Sequence, residues 1–561
     1  MEYVIFAAVM AGLILLFIVK EFCNYRKSEK QFVKKLHDEY GVLPQREYKP
    51  GQLDVVSRYF VKHKEGFYID DITWNDLNMD EVFKKMNYTY SAAGEEYLYY
   101  TLRKPCMEEA ELLRREEIID FFSKNADERT TYQFIYSKLG RTGKFSIYDY
   151  LDYLDDLGER SNLSHYLALV LVLASIGLLF VHMPLGLLCL VCVLIYNNIT
   201  YFKIKNEIDP YITSFSYIFR LLKTIKKLQG HKESVLTEEF DLLKKSSDAM
   251  LGFEAGSFLL MSGGRMSGSG NPLELFMDFV RMGFHLDLIK FNQMLSEVRR
   301  HISDIDTMIT ILGKIETMIV IGAYRESLSS YCVPEFSEKI RMDVAGLYHP
   351  LLENPVKNDI NTESSVLITG SNASGKSTFL KTAALNALFA QTIHTCLAEH
   401  YKGAMFCVVS SMSLRDDVQG GESYYMVEIR ALKRIIDMIS REGAPVLCFV
   451  DEVLRGTNTV ERIAASAQIL RNMSASNCMC FAATHDIELT YLLENDYNNY
   501  HFSEEIQEND ISFSYKIMEG RAQTRNAIKL LGIMGFSADI IREAEAMAGN
   551  FLETGAWQML D

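Results

Sequence analysis

Apolar residues recur at intervals of three and four through much of the chain between residues 72 and 335. This spacing places them on one face of a helix. It is clear in "MDEVFKKMNYTYSAAGEEYLYYTLRKP", in "EEAELLRREEIIDFFSKN" and in "KFNQMLSEVRRHISDIDTMITILGKIETMI". The pattern predicts a mainly α-helical region over residues 72–335.

The pattern changes after residue 335, where short apolar runs alternate with amphipathic segments. "SSVLIT", "APVLCFVDE" and "MCFAATHD" read as buried strands, and longer helix-like stretches separate them. Buried strands that alternate with helices indicate a parallel sheet. We therefore predict an α/β domain over residues 336–561.

Two long apolar stretches interrupt the polar parts of the chain. The stretch from Tyr3 to Val19 contains no charged residue, and a second runs from Tyr166 to Phe202. Their lengths suit membrane-spanning helices. Pro184 and Gly186 divide the second stretch, which predicts a transmembrane hairpin at about 164–202. A buried hairpin of a soluble protein and a re-entrant loop are the alternatives.

Basic residues after the first apolar stretch predict its orientation. They are Lys20, Arg26, Lys27, Lys30, Lys34 and Lys35. The positive-inside rule places this side in the cytoplasm and the N-terminus outside. The sequence then reads as an anchor at 1–20, a cytoplasmic juxtamembrane segment at 21–71, and three passes in all. The α/β domain is expected in the cytoplasm of a multi-pass membrane protein.

The overall charge limits the classes of partner. The formal net charge is −16, and 48% of the residues are apolar. A chain of this kind is folded and lacks a general basic coat for nucleic acid, although a local basic groove is compatible with it.

A glycine-containing turn follows the strand-like "SSVLIT" and leads into a helix. Gly370, Gly375, Lys376 and Ser377 fit the phosphate-binding pattern G-x-x-x-x-G-K-[ST]. Backbone amides of such a turn surround phosphates, lysine reaches the β- and γ-phosphates, and the hydroxyl binds Mg²⁺. The predicted nucleotide-binding residues are Gly370, Ser371, Asn372, Ala373, Ser374, Gly375, Lys376, Ser377 and Thr378.

Two further strand ends carry residues suited to nucleotide hydrolysis. Asp451 and Glu452 end one apolar run, and His485 follows another. We expect Asp451 to share the Mg²⁺ with Ser377. Glu452 is the predicted general base, and His485 is expected to sense the γ-phosphate or to polarise the attacking water. ATP and Mg²⁺ are therefore the predicted cofactors.

Between these strands, "GGESYYMVEIRALKRIIDMI" begins with glycines and a candidate helix N-cap, Ser423. Its apolar face is predicted to consist of Tyr425, Ile429, Leu432, Ile436 and Ile439. A hydroxyl at a helix N-terminus is suited to contacting a phosphate, including one bound by another subunit.

These motifs together resemble the DNA mismatch-repair MutS family within the ABC-type ATPases. "LITGSNASGKST" is similar to the family's phosphate loop and "GGESYYMVEI" to its signature segment. "LCFVDEVLRGTNTVERIAASAQIL" resembles its Walker B region, and "FAATHDIELT" its histidine switch. The expected fold is an ABC/MutS-type P-loop ATPase domain, preceded by a helical core and lever region with transmembrane helices.

The resemblance implies a homodimer in which each nucleotide contacts both subunits. Ser423 would act in trans on the partner's nucleotide, and Gly456 with Thr457 would line the dimer seam. ATP binding would close the dimer and move the helical arms.

The sequence also departs from the family. No segment matches the domain that reads a mispaired base, and Pro355 stands where the family often stacks an aromatic residue on adenine. The membrane segments are foreign to soluble repair proteins. We therefore expect no mismatch recognition or base-specific readout.

Three functions remain open at this point. The first is a membrane-anchored ATPase whose dimeric arms clamp DNA. The second is a membrane-tethered ATP switch that acts on a protein partner and not on DNA. The third, export transport, is disfavoured because three short passes provide a poor translocation path.

Overall fold

The computed structural model describes residues 2–559 with interruptions. The residues outside the description are 159, 232, 255–279, 281, 372–373, 413–423, 442, 456, 475–476, 508–509, 523–527, 529–530, 532–533 and 558. For some further residues, chiefly within 2–18 and 504–512, the backbone alone is described.

Helices account for most of the N-terminal half of the chain. The N-terminal helices are α1 Glu2–Asp38, α2 Gln52–Val56, α3 Arg58–Lys62, α4 Asp71–Asp76, α5 Met79–Met86, α6 Ala92–Arg103, α7 Glu109–Lys124, α8 Ala126–Leu139, α9 Ile147–Asp156, α10 Leu163–Val181, α11 Met183–Leu228, α12 Thr237–Ala249, α13 Leu251–Glu254, α14 Leu286–Arg300 and α15 Ile302–Glu326.

Strands begin after α15. They are β1 Glu335–Phe336, β2 Met342–Leu347, β3 Asn358–Thr362, β4 Ser365–Thr369, β5 His400–Gly403, β6 Cys407–Ser411, β7 Val446–Asp451, β8 Cys478–Thr484, β9 Tyr497–Gln507 and β10 Asp510–Glu519. The helices among them are α16 Lys376–Thr392, α17 Tyr424–Ile439, α18 Thr459–Met473, α19 Ile487–Leu492 and α20 Ala538–Thr554. The helical first part and the α/β second part confirm the predicted classes.

The chain divides into two compact units. One consists of Met1–Lys64, Met86–Tyr100 and Glu116–Ser327, and the other of Glu65–Lys85, Thr101–Arg115 and Leu328–Asp561. The second unit thus includes two short segments, Glu65–Lys85 and Thr101–Arg115, that lie largely within the region 72–335 and that the sequence pattern alone does not assign to it.

The helical unit contains the apolar hairpin. Helix α10 ends at Val181 and α11 begins at Met183, with Pro184 in its first turn. Proline suits this position because the first helical turn leaves its N–H groups unpaired in any case. A side chain at Gly186 would lie 2.5 Å from the backbone nitrogen of Leu179, so glycine lets the two helices pack closely. The predicted break is confirmed.

The second arm of the hairpin is much longer than the sequence predicts. The apolar stretch ends near Phe202, but α11 continues without interruption to Leu228. Beyond the apolar part its buried face carries Phe215, Ile218 and Leu222, which pack within the helical unit. Amphipathic packing therefore extends the helix where uniform apolarity stops.

Two sheets form the α/β unit. The smaller has the order β1-β5-β2-β3. The larger has the order β10-β9-β4-β8-β7-β6, in which β9, β4, β8, β7 and β6 are parallel and β10 is antiparallel to β9. All residues of β4, β7 and β8 are buried. Register pairs Thr369 with Thr484 and Asp451 with Ala483, so these three strands end side by side.

Candidate nucleotide site

The turn between β4 and α16 needs glycine at its end. Gly375 has φ +109°, and a side chain there would come within 3.2 Å of the Tyr515 ring. An L-residue rarely adopts this φ, so both conformation and space favour glycine. Helix α16 begins at the next residue, Lys376, and its N-terminus points its first amides at the turn. Asn372 and Ala373 lie outside the described residues.

The Lys376 side chain lies across this turn and is only 5% exposed. Its Nζ donates to the carbonyl oxygens of Gly370 and Ser371, both at 2.8 Å. The same nitrogen is 3.4 Å from His485 Nε2, at the end of β8. A buried ammonium is costly unless it is paired, so an anion between the turn and β8 would be stabilised here.

Ser377 and Asp451 form a pair suited to a divalent cation. The Ser377 hydroxyl donates to Asp451 Oδ2, while Asp451 Oδ1 is buried without a hydrogen-bond partner. Burial raises the pKa of Asp451 above its ordinary value, and the Ser377 hydrogen bond opposes this only in part. Hard oxygen ligands of this kind fit Mg²⁺, whose charge would also stabilise the ionised carboxylate. The residues present therefore fit the predicted cation.

Glu452 is held at both carboxylate oxygens. Oε1 lies 2.8 Å from His485 Nε2, and Oε2 lies 2.6 Å from Arg455 Nε. Burial alone would raise the pKa of Glu452, but the hydrogen bond to His485 and the charges of His485, Arg455 and Lys376 outweigh it. The pKa therefore lies below its ordinary value. Glu452 is thus ionised at neutral pH and able to accept a proton.

Arg462 and Asp486 fix the segment that carries His485. Arg462, on α18, donates to both carboxylate oxygens of Asp486, at 3.0 and 2.5 Å. Asp486 is also the N-cap residue of α19. A bidentate pair fixes the orientation of both groups, so it positions the adjacent histidine. The sequence analysis did not identify this pair, because the two residues are 24 positions apart.

A cavity of about 320 Å³ lies on the other side of the glycine turn. Its lining includes Pro355, the predicted adenine-side residue, with His349, Phe502 and Tyr515. Burial, together with the charges of Lys381 and Lys85, lowers the pKa of His349 to about 4, so its ring is neutral at pH 7. A mostly apolar cavity next to a phosphate-binding turn suits a purine base.

Some predicted residues cannot be placed in this geometry. Ser423 and Gly456 lie outside the described residues. Thr457 is described, and its hydroxyl lies 3.5 Å from Glu461 Oε2. Helix α17 begins at Tyr424, and its predicted apolar face packs on the main sheet: Leu432 is 2% exposed, and Tyr425, Ile429, Ile436 and Ile439 lie against the same core.

Comparison with known proteins now adds to this geometry. Residues 366–552 match the family model described as MutS domain V. The C-terminal part of this chain is similar to this MutS domain. This chain is 32% identical over 272 residues to the DNA mismatch repair protein MutS of Thermotoga petrophila, and the match covers 46% of this chain and 34% of that protein. This chain is also 29% identical over 222 residues to the DNA mismatch repair protein MutS of Thermus thermophilus. That match covers 39% of this chain and 27% of that protein.

Only a fraction of each MutS protein is matched by this chain. The matches span 34% of the Thermotoga petrophila protein and 27% of the Thermus thermophilus protein. The MutS domain V match includes β4, the glycine turn, β7 and β8. The similarity therefore supports the MutS family for the nucleotide site and leaves the helical unit to be interpreted from its own residues.

Proposed function

We propose that this chain binds ATP with Mg²⁺ and hydrolyses the ATP as a homodimer. One observation carries the proposal: the Lys376 ammonium, the Ser377–Asp451 pair and the Glu452–His485 pair meet at the ends of adjacent parallel strands. Ligands of open α/β sheets bind at this edge. The MutS domain V match over residues 366–552 supports the same assignment.

Each side chain has a distinct task in this proposal. Lys376 would exchange its contacts with the Gly370 and Ser371 carbonyls for phosphate oxygens. Ser377 and Asp451 would hold Mg²⁺, which neutralises phosphate charge when bound. Glu452, ionised at neutral pH, would take the proton of the attacking water, and His485 would keep its carboxylate oriented.

For the partner, we infer DNA held by a dimeric clamp without mismatch or base-specific readout. Both relatives above carry the printed name DNA mismatch repair protein, which supports nucleic acid as the partner. Ser423 of one subunit would reach the nucleotide of the other, with Gly456 and Thr457 at the seam. Binding would rest on phosphate contacts.

We also infer that the hairpin lies in a bilayer. Leu163–Val181 and Met183–Ile208 are long and apolar enough to cross a membrane, and only 22% and 17% of their apolar windows are buried. The core helix of a soluble protein would be mostly buried. The N-terminal pass, and with it the count of three passes, remains a prediction, because most side chains of Tyr3 to Val19 lie outside the described ones.

A second function is favoured by one feature of α11. This helix has 46 residues and runs from the apolar hairpin into the packed helical unit. At 1.5 Å per residue it is roughly 69 Å long, and a continuous helix transmits displacement along its axis. A membrane-tethered ATP switch that acts on a protein partner would use this connection directly.

A DNA titration separates the two functions. ATP hydrolysis by the detergent-solubilised full chain is measured with and without duplex and branched DNA, over a series of salt concentrations. A DNA clamp predicts stimulation that declines steeply as salt rises, since phosphate contacts release counterions. Hydrolysis that is indifferent to DNA at every salt concentration would exclude the clamp and favour the switch.

A further inference from the structure

Glu428 is a buried carboxylate close to the start of α17. Its side chain and backbone together are 4% exposed. One carboxylate oxygen, Oε1, accepts a hydrogen bond from the backbone N–H of Leu454. Leu454 lies two residues after Glu452, so Glu428 contacts the segment that carries the proposed general base.

That segment adopts a conformation that L-residues avoid. Glu452 has φ +53° and Leu454 has φ +58°. Non-glycine residues in this left-handed region persist only where the surroundings hold them. Leu454 is packed in the core at 3% exposure, and its amide is held by Glu428. These two contacts maintain the turn that directs the Glu452 carboxylate towards His485.

The Leu454 amide compensates one of the two Glu428 carboxylate oxygens, while Oε2 is buried without a hydrogen-bond partner among the described residues. Placing an acid in the protein interior is unfavourable unless strong donors compensate it. Burial raises the pKa of Glu428 above its ordinary value, while backbone amides of Leu454 and Arg455 act in the opposite direction.

We propose that Glu428 is a positioning residue for ATP hydrolysis, which fixes the Glu452 carboxylate against His485 by holding the Leu454 amide. This inference rests on the proposed ATPase function. Glu428 is not assigned any contact with nucleotide or metal. Its effect is therefore expected on the hydrolytic step and not on ATP affinity.

Three variants of the full chain test the proposal. Glu428→Ala removes the acceptor, and Glu428→Gln keeps an oxygen acceptor of the same reach. Asp437→Ala is the matched control, because Asp437 lies on the same helix but is exposed and pairs with Lys433 at the surface. Three quantities are measured for each variant: kcat in hydrolysis assays, ATP affinity in equilibrium binding, and hydrogen exchange of the 452–455 amides without nucleotide.

The expected pattern is specific. Glu428→Ala lowers kcat by about ten- to a hundredfold with ATP affinity unchanged, since small displacements of a catalytic group have effects of that size. Exchange at the Leu454 amide accelerates roughly tenfold or more, because it loses a hydrogen bond to a charged acceptor. Glu428→Gln restores most of kcat and most of the protection of the Leu454 amide, and Asp437→Ala changes neither kcat nor exchange.

Other results overturn the proposal and distinguish it from the proposed function. If the wild type hydrolyses ATP and Glu428→Ala keeps both the wild-type kcat and the slow Leu454 exchange, Glu428 does not position Glu452. If Glu428→Ala loses ATP affinity and thermal stability and Glu428→Gln does not restore them, the residue has a structural role only. A wild type without Mg²⁺-dependent hydrolysis overturns both proposals.

Discussion

The nucleotide site and the apolar hairpin place polar and apolar groups in opposite ways. In the site, polar side chains are buried: Lys376 is 5% and Asp451 8% exposed. In the hairpin, apolar side chains are exposed, including Phe180 at 87% and Val181 at 84%, while Asn197 is fully buried and donates to the Gly283 carbonyl.

The ligand proposed for each region follows from these buried and exposed groups. A buried Asp451 oxygen without a partner calls for a cation, because an unpaired buried acceptor is costly. An exposed apolar face calls for hydrocarbon, because contiguous apolar surface is rarely left in water. The comparison shows that a buried polar group carries the proposed cation site in one region, and exposed apolar groups carry the proposed bilayer contact in the other.

The largest effect is expected from Lys376→Ala. The variant removes the cation that opposes the phosphates, so ATP binding should fall at least about a hundredfold. Equilibrium binding of ATP with Mg²⁺ measures this directly. Membrane association should stay the same, since Lys376 is not part of the hairpin. ATP binding at the parental affinity would mean that the glycine turn is not the phosphate site.

Glu452→Gln comes next and separates binding from chemistry. The amide cannot accept the proton of water, so hydrolysis should fall by about 10²- to 10⁴-fold. ATP affinity should be retained, because the Lys376, Ser377 and Asp451 side chains are unchanged. Single-turnover hydrolysis beside an equilibrium binding curve provides the check. Turnover at the parental rate would remove Glu452 from its role as general base.

A charge in the middle of the first hairpin helix, α10, tests the proposed contact of the hairpin with a bilayer. Leu173 is 54% exposed on α10, and arginine there should cost about 2.5–3.5 kcal/mol of insertion free energy. Leu242→Arg on α12 is the matched control, since Leu242 is 51% exposed on a helix outside the hairpin.

Flotation with membranes is measured on the expressed protein without residues 1–20, because the predicted N-terminal pass would otherwise hold either variant in the membrane. Leu173→Arg should shift protein from the membrane to the soluble or aggregated fraction, and Leu242→Arg should not. Equal flotation of both variants would contradict a bilayer around the hairpin.

The smallest expected effect is a change in pH dependence. The positive charge of Arg455 contributes to holding the pKa of Glu452 below its ordinary value. Arg455→Ala removes that charge, so the Glu452 pKa rises and more of the base is protonated at low pH. The acid limb of the kcat/KM profile should therefore move to higher pH. A shift towards lower pH, or an unchanged limb, would contradict the pairing of these two residues.

Sequence patterns predicted those features that depend on local order. Asp451 ends β7, His485 directly follows β8, and Lys376 begins the helix after β4. A buried run followed by polar residues marks such a strand end in a parallel sheet. The break between α10 and α11, at His182, was predicted from the nearby Pro184, since proline restricts its own backbone and that of the preceding residue.

The features that sequence patterns missed depend on distant contacts. Glu428 meets Leu454 across 26 positions, and Tyr515 reaches the glycine turn from β10. The continuation of α11 to Leu228 was missed as well. Polar residues are interspersed with its apolar residues, and the apolar face becomes evident only where it packs in the folded unit. Tertiary packing decides such features, and no local pattern records it.

The central claim is that two copies of this chain hold Mg²⁺–ATP between them. The most direct measurement is the molar mass of the Glu452→Gln protein in detergent, by light scattering with correction for detergent, alongside the amount of bound ATP. The account predicts a dimer that retains one ATP per chain when Mg²⁺ is present and dissociates when it is chelated. A monomer that retains no ATP in excess Mg²⁺ would contradict it.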